Sequence, residues 1–204
     1  MTIESRRERG CHWRAVVIGT SQGGFEALHA VLDPLPADFP IPILVVRHHA
    51  SDSDDYLITS LNAHSPLTIA FARGGERPLP GHVYIAPPDN HLLVDESGHL
   101  RLSHGPQVYF SRPAIDPLFS SAARAYGPDL IGVVMTGANS DGAVGAVEIK
   151  KNGGCILVQE PRTAEAATMP EAVLERLIPD RVIWLDQIGP YLWSLATCRG
   201  PASL

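Results

Sequence analysis

Cysteine is scarce, with Cys11, Cys155 and Cys198 the only three in 204 residues. So few, odd in number and widely spaced, they fit neither a disulfide framework nor a CxxC metal clip, and they read as reduced bystanders. Long apolar runs are missing too. No stretch approaches the roughly 18 residues of a membrane span, and the opening MTIESRRERGCHW lacks the hydrophobic segment of a secretory signal. The expected location is therefore cytoplasmic, without membrane insertion. A surplus of basic charge is also lacking, since 16 Lys and Arg face 22 Asp and Glu for a net charge of -6. That balance argues against a general nucleic-acid binder, whose footprint is a basic patch able to displace counterions. Nine histidines occur, but His82, His91, His99 and His104 have no HExxH or similar spacing, so no metal is expected.

What is present suits one globular domain. Hydrophobic residues are 45% and charged residues 19% of the chain, enough for a sizeable core. Residues 1–13 are polar and read as a flexible tail ahead of a domain over 14–204. From Arg14 on, β-branched runs alternate with helix-period segments: Ala15–Ile18 and Phe25–Leu32, Ile43–Val46 and Tyr56–Leu61, Leu130–Met135 and Val144–Ile149, Ile156–Val158 and Ala172–Leu177, then Val182–Leu185. That alternation predicts an α/β fold, a three-layer α/β/α doubly wound and mostly parallel sheet. Between Leu67 and Ser103 the spacing changes. Pro80-Gly81, Pro87-Pro88 and Ser97-Gly98 separate His82–Ala86, Leu92–Asp95 and Leu100–Ser103, which predicts antiparallel hairpins inserted at the sheet edge.

The turn after the first strand, Gly19-Thr20-Ser21-Gln22-Gly23-Gly24, allows three chemistries. A phosphate loop fails because Phe25 and Glu26 stand where its Lys and hydroxyl belong. A dinucleotide fingerprint needs glycine at position 21, where Ser21 stands, although Arg47 keeps an NADP-binding oxidoreductase in view. The third reading is a nucleophile elbow of the form G-x-S-x-G, in which a strained turn lifts the Ser21 hydroxyl above the sheet. The plain alternative is that Ser21 caps the helix.

A serine nucleophile needs a base, and the base needs an orienting group. In doubly wound sheets such groups gather at the carboxyl ends of strands. There the second strand offers His48 and His49, and the Leu130–Met135 strand runs into Thr136-Gly137-Ala138-Asn139-Ser140-Asp141-Gly142. Either histidine can be the base, and Asp141 the orienting carboxylate or, alternatively, a helix cap. The chain order Ser, His, Asp differs from that of α/β-hydrolases.

These segments, with Gly75-Glu76-Arg77-Pro78-Leu79-Pro80-Gly81-His82-Val83-Tyr84-Ile85-Ala86-Pro87 and Arg112-Pro113-Ala114-Ile115-Asp116, resemble the catalytic domain of the chemotaxis-type protein-glutamate methylesterases from about Arg14 to Leu195. The resemblance implies hydrolysis of γ-glutamyl methyl esters on a methylated chemoreceptor, often with glutamine deamidation. It also implies a Ser21, His48, Asp141 triad, choosing His48 over His49, on a parallel α/β/α sandwich carrying an antiparallel hairpin. The chain departs from the family where Gln22 replaces Thr, His49 replaces Met, and Gly137-Ala138-Asn139 replaces Gly-Met-Gly. Those changes flank the reacting centre and bear on substrate and oxyanion geometry. The family's receiver domain does not fit in the 13 residues before the first strand, so constant activity, a regulator in trans or a fragment is expected.

The expected enzyme is thus a serine esterase with oxyanion and substrate contacts at Gln22, Gly23, Ala138 and His49, needing no cofactor because acyl transfer at an ester requires no electron sink. The rival readings are a catalytically inactive partner-binding module on the same fold and the NADP-binding oxidoreductase.

Overall fold

Uninterrupted runs of Val, Ile and Leu can be buried on both faces of a sheet, and they form its central strands in the computed structural model, which describes residues 12–48 and 54–198. The strands are β1 (Ala15–Thr20), β2 (Ile43–Arg47), β3 (Thr68–Phe71), β4 (His82–Ile85), β5 (His91–Val94), β6 (Leu100–Ser103), β7 (Leu130–Val134), β8 (Cys155–Gln159) and β9 (Arg181–Ile183). Seven of them form one sheet in the order β3-β4-β2-β1-β7-β8-β9, with every pairing parallel. The other two, β5 and β6, pair antiparallel.

The helices are α1 (Gly24–Leu32), α2 (Asp54–His64), α3 (Ile115–Tyr126), α4 (Ala143–Lys151), α5 (Thr168–Leu174) and α6 (Leu185–Ala196). Alternation along β1 divides the core. Val16 and Ile18 face Leu28 and Val31 of α1, Leu57 and Leu61 of α2, and Leu192 of α6. Ala15 and Val17 face the opposite layer, with Leu118 and Phe119 of α3, Ala146 and Ile149 of α4, Val173 of α5, and Leu92 and Leu100 of the hairpin. Each buried Leu or Ile contributes roughly 1.5–3 kcal/mol, so neither layer can be spared.

Two elements and one residue differ from the sequence expectation. His82–Ile85 is no hairpin strand but an inner parallel strand, paired to β3 on one side and β2 on the other. Pro80-Gly81 does break the chain, yet a turn signal does not say in which direction the next strand runs. Ser97-Gly98 does close the expected antiparallel turn, with Gly98 at φ 87°. Helix α3, absent from the predicted alternation, buries Ile115, Leu118, Phe119, Ala122, Ala123 and Tyr126, a helical stripe in a segment that also carries Pro113 and Pro117. Trp13, assigned to the leading tail, is 8% exposed and packs in the core.

The sheet order fixes where chemistry can occur. From β1 the chain goes to β2 on one side and later returns to β7 on the other, so a crevice opens at the carboxyl end of β1.

Candidate active site

Ser21 follows the last residue of β1, and the register pairs Thr20 with Arg47, so Ser21 and His48 leave neighbouring strand ends side by side. The His48 N–H donates to the Thr20 carbonyl at 3.0 Å, and the Ser21 N–H donates to the Thr136 carbonyl at 2.9 Å. Ser21 is thereby held between the ends of β2 and β7. Gly137 lets the third strand end come close, because a Cβ there would lie 3.0 Å from the Ser21 Cβ and 2.5 Å from the Met169 Cε.

The turn is not strained at the serine. The left-handed residue is Gly23, at φ 74°, and Ser21 is not among the positive-φ residues. The strain expected of a G-x-S-x-G elbow is therefore corrected: glycine two positions on absorbs the turn, which it does without a Cβ penalty. Ser21 is not a side-chain cap either, since α1 is capped by Gly23 with no side-chain hydrogen bond.

His48 Nε2 lies 2.7 Å from Asp141 Oδ2, with the two side chains 8% and 0% exposed. A carboxylate only accepts, so Nε2 carries the proton and Nδ1 is the ring nitrogen that keeps a lone pair. A buried carboxylate is costly unless its oxygens are filled, and four donors fill these. Oδ2 also accepts the Ile115 N–H at 2.6 Å, while Oδ1 accepts the N–H groups of Asp116 and Gly142, each at 2.9 Å. Asp141 does not cap its own helix; α4 begins at Ala143, and its N-cap is Gly142 with no side-chain hydrogen bond. Instead it sits across the positive N-terminal end of α3, where two free amides and the helix dipole favour an anion.

Two neighbours of this pair carry no role in the sequence reading. Asp116 is 9% exposed in the first turn of α3 and accepts the Gly145 N–H at 2.7 Å. Burial, with the Asp141 charge adding to it, pushes its carboxyl up to about 6, against the opposing pull of the Gly145 and Gly142 amides. Asn139 reaches His48 with its amide, Nδ2 lying 3.3 Å from Nδ1. No hydrogen bond joins the Ser21 hydroxyl to His48 among the described residues.

The remaining expected positions diverge. No described residue accepts the N–H of Gln22 or of Ala138, and both residues are exposed beside Ser21. The Gln22 side chain turns away to Glu165 at 3.2 Å, and its carbonyl accepts the Thr136 hydroxyl at 2.8 Å. Gly23 is backbone only, and a Cβ there would lie 2.6 Å from the Glu165 Cβ. His49 lies outside the described residues. Thr136, unassigned in the sequence, ties the site together: its N–H donates to Gln159 Oε1 at 2.8 Å, and its carbonyl accepts the Thr20 hydroxyl at 2.9 Å. Among the described residues no cluster of three or more His, Cys, Asp or Glu could hold a metal ion, and no helix is long and apolar enough to cross a membrane.

The family model described as CheB methylesterase matches residues 16–192. A relative in Leptospira interrogans, provisionally named a protein-glutamate methylesterase/protein-glutamine glutaminase, is 44% identical over 87% of this chain and 92% of its own. A Caulobacter vibrioides protein-glutamate methylesterase/protein-glutamine glutaminase is 40% identical over 89% of this chain, which spans 54% of that longer protein. The crystal structure of the Thermotoga maritima CheB methylesterase catalytic domain superposes with a TM-score of 0.86 at 35% identity, covering 90% of this chain and 98% of that one. A shared parallel sheet, a shared hairpin and identity at this level over nearly the whole domain leave one assignment, and the chain belongs to the CheB methylesterase family.

Proposed function

We propose that this protein hydrolyses glutamyl methyl esters on a methylated protein of the chemoreceptor class, in the cytoplasm, and deamidates glutamine there as a second activity. The observation that carries the reading is the Thr20–Arg47 register, which sets Ser21 beside a His48 whose ring is held by Asp141 at 2.7 Å. In this reading Ser21 Oγ attacks the ester carbonyl and its proton passes to His48 Nδ1, because Nε2 is committed to Asp141. The N–H groups of Gln22 and Ala138, which donate to no described residue, are the oxyanion donors, and Gly23, Ala138 and His49 border the substrate. Collapse of the tetrahedral intermediate transfers the Nδ1 proton to the departing methoxide, releasing methanol. Water then repeats the sequence on the acyl-serine. A regulator in trans is consistent with this site, whose mouth is open at Ala138.

The test is methanol release from methylated receptor, with labelling of Ser21 by a serine-reactive phosphonate. Wild type should do both and Ser21→Ala neither. Methanol release at the wild-type rate in Ser21→Ala would remove the serine mechanism. Failure of the wild type to release methanol or to take up the probe would leave a partner-binding module.

A further inference from the structure

The amide of Asn139 is oriented by the protein itself. Its Oδ1 accepts the Asp141 N–H at 3.0 Å, which fixes the oxygen toward that backbone and turns the Nδ2 donor to His48 Nδ1 at 3.3 Å. A donor on Nδ1 requires an unprotonated nitrogen there, and Asp141 on Nε2 requires a protonated one, so the two side chains specify the same tautomer from opposite sides of one ring. Asp141 alone cannot do this completely, since a carboxylate tolerates a doubly protonated ring equally well. An amide donor does not: an Nδ1–H would face an N–H.

We infer that Asn139 is a positioning residue that holds His48 as the neutral Nε2–H tautomer, with Nδ1 unprotonated until the amide yields it to Ser21. The inference rests on the proposed roles of Ser21 and His48. For attack the amide first gives up the single Nδ1 lone pair so that the Ser21 hydroxyl can donate there, and the Nδ1–H formed by the transfer then keeps the amide away. When that proton leaves with the alcohol, Nδ1 is again an acceptor and the contact re-forms. Asn139 thus opposes lingering imidazolium on both sides of the chemical step, and it occupies the nitrogen that Ser21 does not bond in this structure.

Asn139→Asp separates this role from a structural one. The aspartate keeps an oxygen for the Asp141 N–H, so the turn is preserved, but it presents an acceptor to Nδ1 and draws a proton onto it. Long-range proton–nitrogen NMR of histidine-labelled protein, with the His48 signal assigned by its loss in His48→Ala, reads the tautomer without any reaction. Wild type should show Nδ1 unprotonated and Asn139→Asp should show it protonated. In parallel, kcat and the phosphonate labelling rate should fall by about 10²–10⁴-fold with KM within about threefold, as expected for a wrongly protonated base. Asn139→Ala, which loses both contacts, should lose less than about tenfold because Asp141 still favours the correct tautomer. Wild-type kcat and an unprotonated Nδ1 in folded Asn139→Asp would overturn the inference, as would equal losses in the Asp and Ala variants. Should Asn139→Asp not fold, an Nδ1 resonance in Asn139→Ala identical to wild type would overturn it and a shifted one would support it. Methanol release by Ser21→Ala alongside the expected Nδ1 signal would instead fault the mechanism and not the tautomer.

Discussion

Compared with Ser21, His48 and Asp141 at the strand ends, another Ser-His-Asp set among the described residues, on α1 and α2, has the more complete hydrogen bonding. On α1 and α2, His29 Nδ1 lies 2.9 Å from Asp33 and His29 Nε2 lies 3.0 Å from the Ser60 hydroxyl, a continuous chain of contacts. At the sheet end, the contact between Ser21 and His48 is missing and Asn139 stands on the ring instead. Yet Ser60 sits inside helix α2, where the N–H groups around it are consumed by helical hydrogen bonds, so no oxyanion could be met there. Ser21 has beside it the amides of Gln22 and Ala138, which donate to no described residue. The carboxylates differ in the same sense. Asp33 is the C-cap of α1, at the negative end of a helix and 31% exposed, whereas Asp141 is fully buried at the positive end of α3. A relay is therefore defined less by its three side chains than by the helix ends around them.

The largest effect expected from breaking this contrast is at Asp141. Asp141→Asn should lower turnover by about 10³–10⁴-fold, because the amide no longer holds the Nε2–H tautomer. It should also destabilise the fold by about 1–3 kcal/mol, since an NH₂ group then opposes the N–H donors of α3. Kinetics and urea unfolding check the two halves, and unchanged stability would mean the four donors do not depend on the charge.

Asp116 comes next, with a sign that depends on pH. Its carboxyl is raised from 3.8 to about 6 by burial, so the folded state binds more protons than the unfolded chain in that interval. Stability contributed at this residue therefore falls as pH rises through the interval and stays lost above it. Asp116→Asn keeps an oxygen for the Gly145 N–H and should be more stable than wild type by about 1–2 kcal/mol at neutral pH, with the gain vanishing below about pH 4. Urea midpoints across pH give the answer; a gain independent of pH would assign it to packing.

His29→Ala should cost about 0.5–1.5 kcal/mol through its lost hydrogen bonds while leaving methanol release unchanged. The smallest effect belongs to Ser60→Ala. It should change neither turnover nor phosphonate uptake, and mass spectrometry of labelled wild type should find the probe on Ser21 alone. Probe on Ser60 would show that helix-interior relays are reactive and would undo the comparison.

The sequence made some of this readable and hid the rest for physical reasons. Strands β1, β2, β7 and β8 were legible because burial on both faces demands continuous apolar residues, as in Leu130-Ile131-Gly132-Val133-Val134. The direction of β4 was not, because Pro80-Gly81 marks a break and carries no information about which neighbour the next strand will find. Ser21, His48 and Asp141 could be nominated from strand ends, but the choice of His48 came from family likeness and not spacing. The anchoring of Asp141 was invisible: it depends on backbone amides of Ile115 and Asp116, and a main-chain donor leaves no mark in side-chain identity. Asn139 could have been noticed as an Asx-turn former two residues before Asp141, though only the folded ring of His48 gives its other end a meaning.

The sheet order also has a consequence for the order of synthesis. Ser21 and His48 emerge early and can meet across β1 and β2, but the other edge of β1 has no partner until β7 has been made, more than a hundred residues later. Asp141 and its α3 donors belong to that second half. A nascent chain ending in the β5–β6 hairpin thus has a histidine without its carboxylate and a bare apolar strand edge, the condition that invites pairing with other chains. Such long-separation pairing is slow to form. The arrangement of Ser21, His48 and Asp141 is consequently incomplete until the second half of the chain is made, and β7 docking both covers that edge of β1 and brings Asp141 to His48.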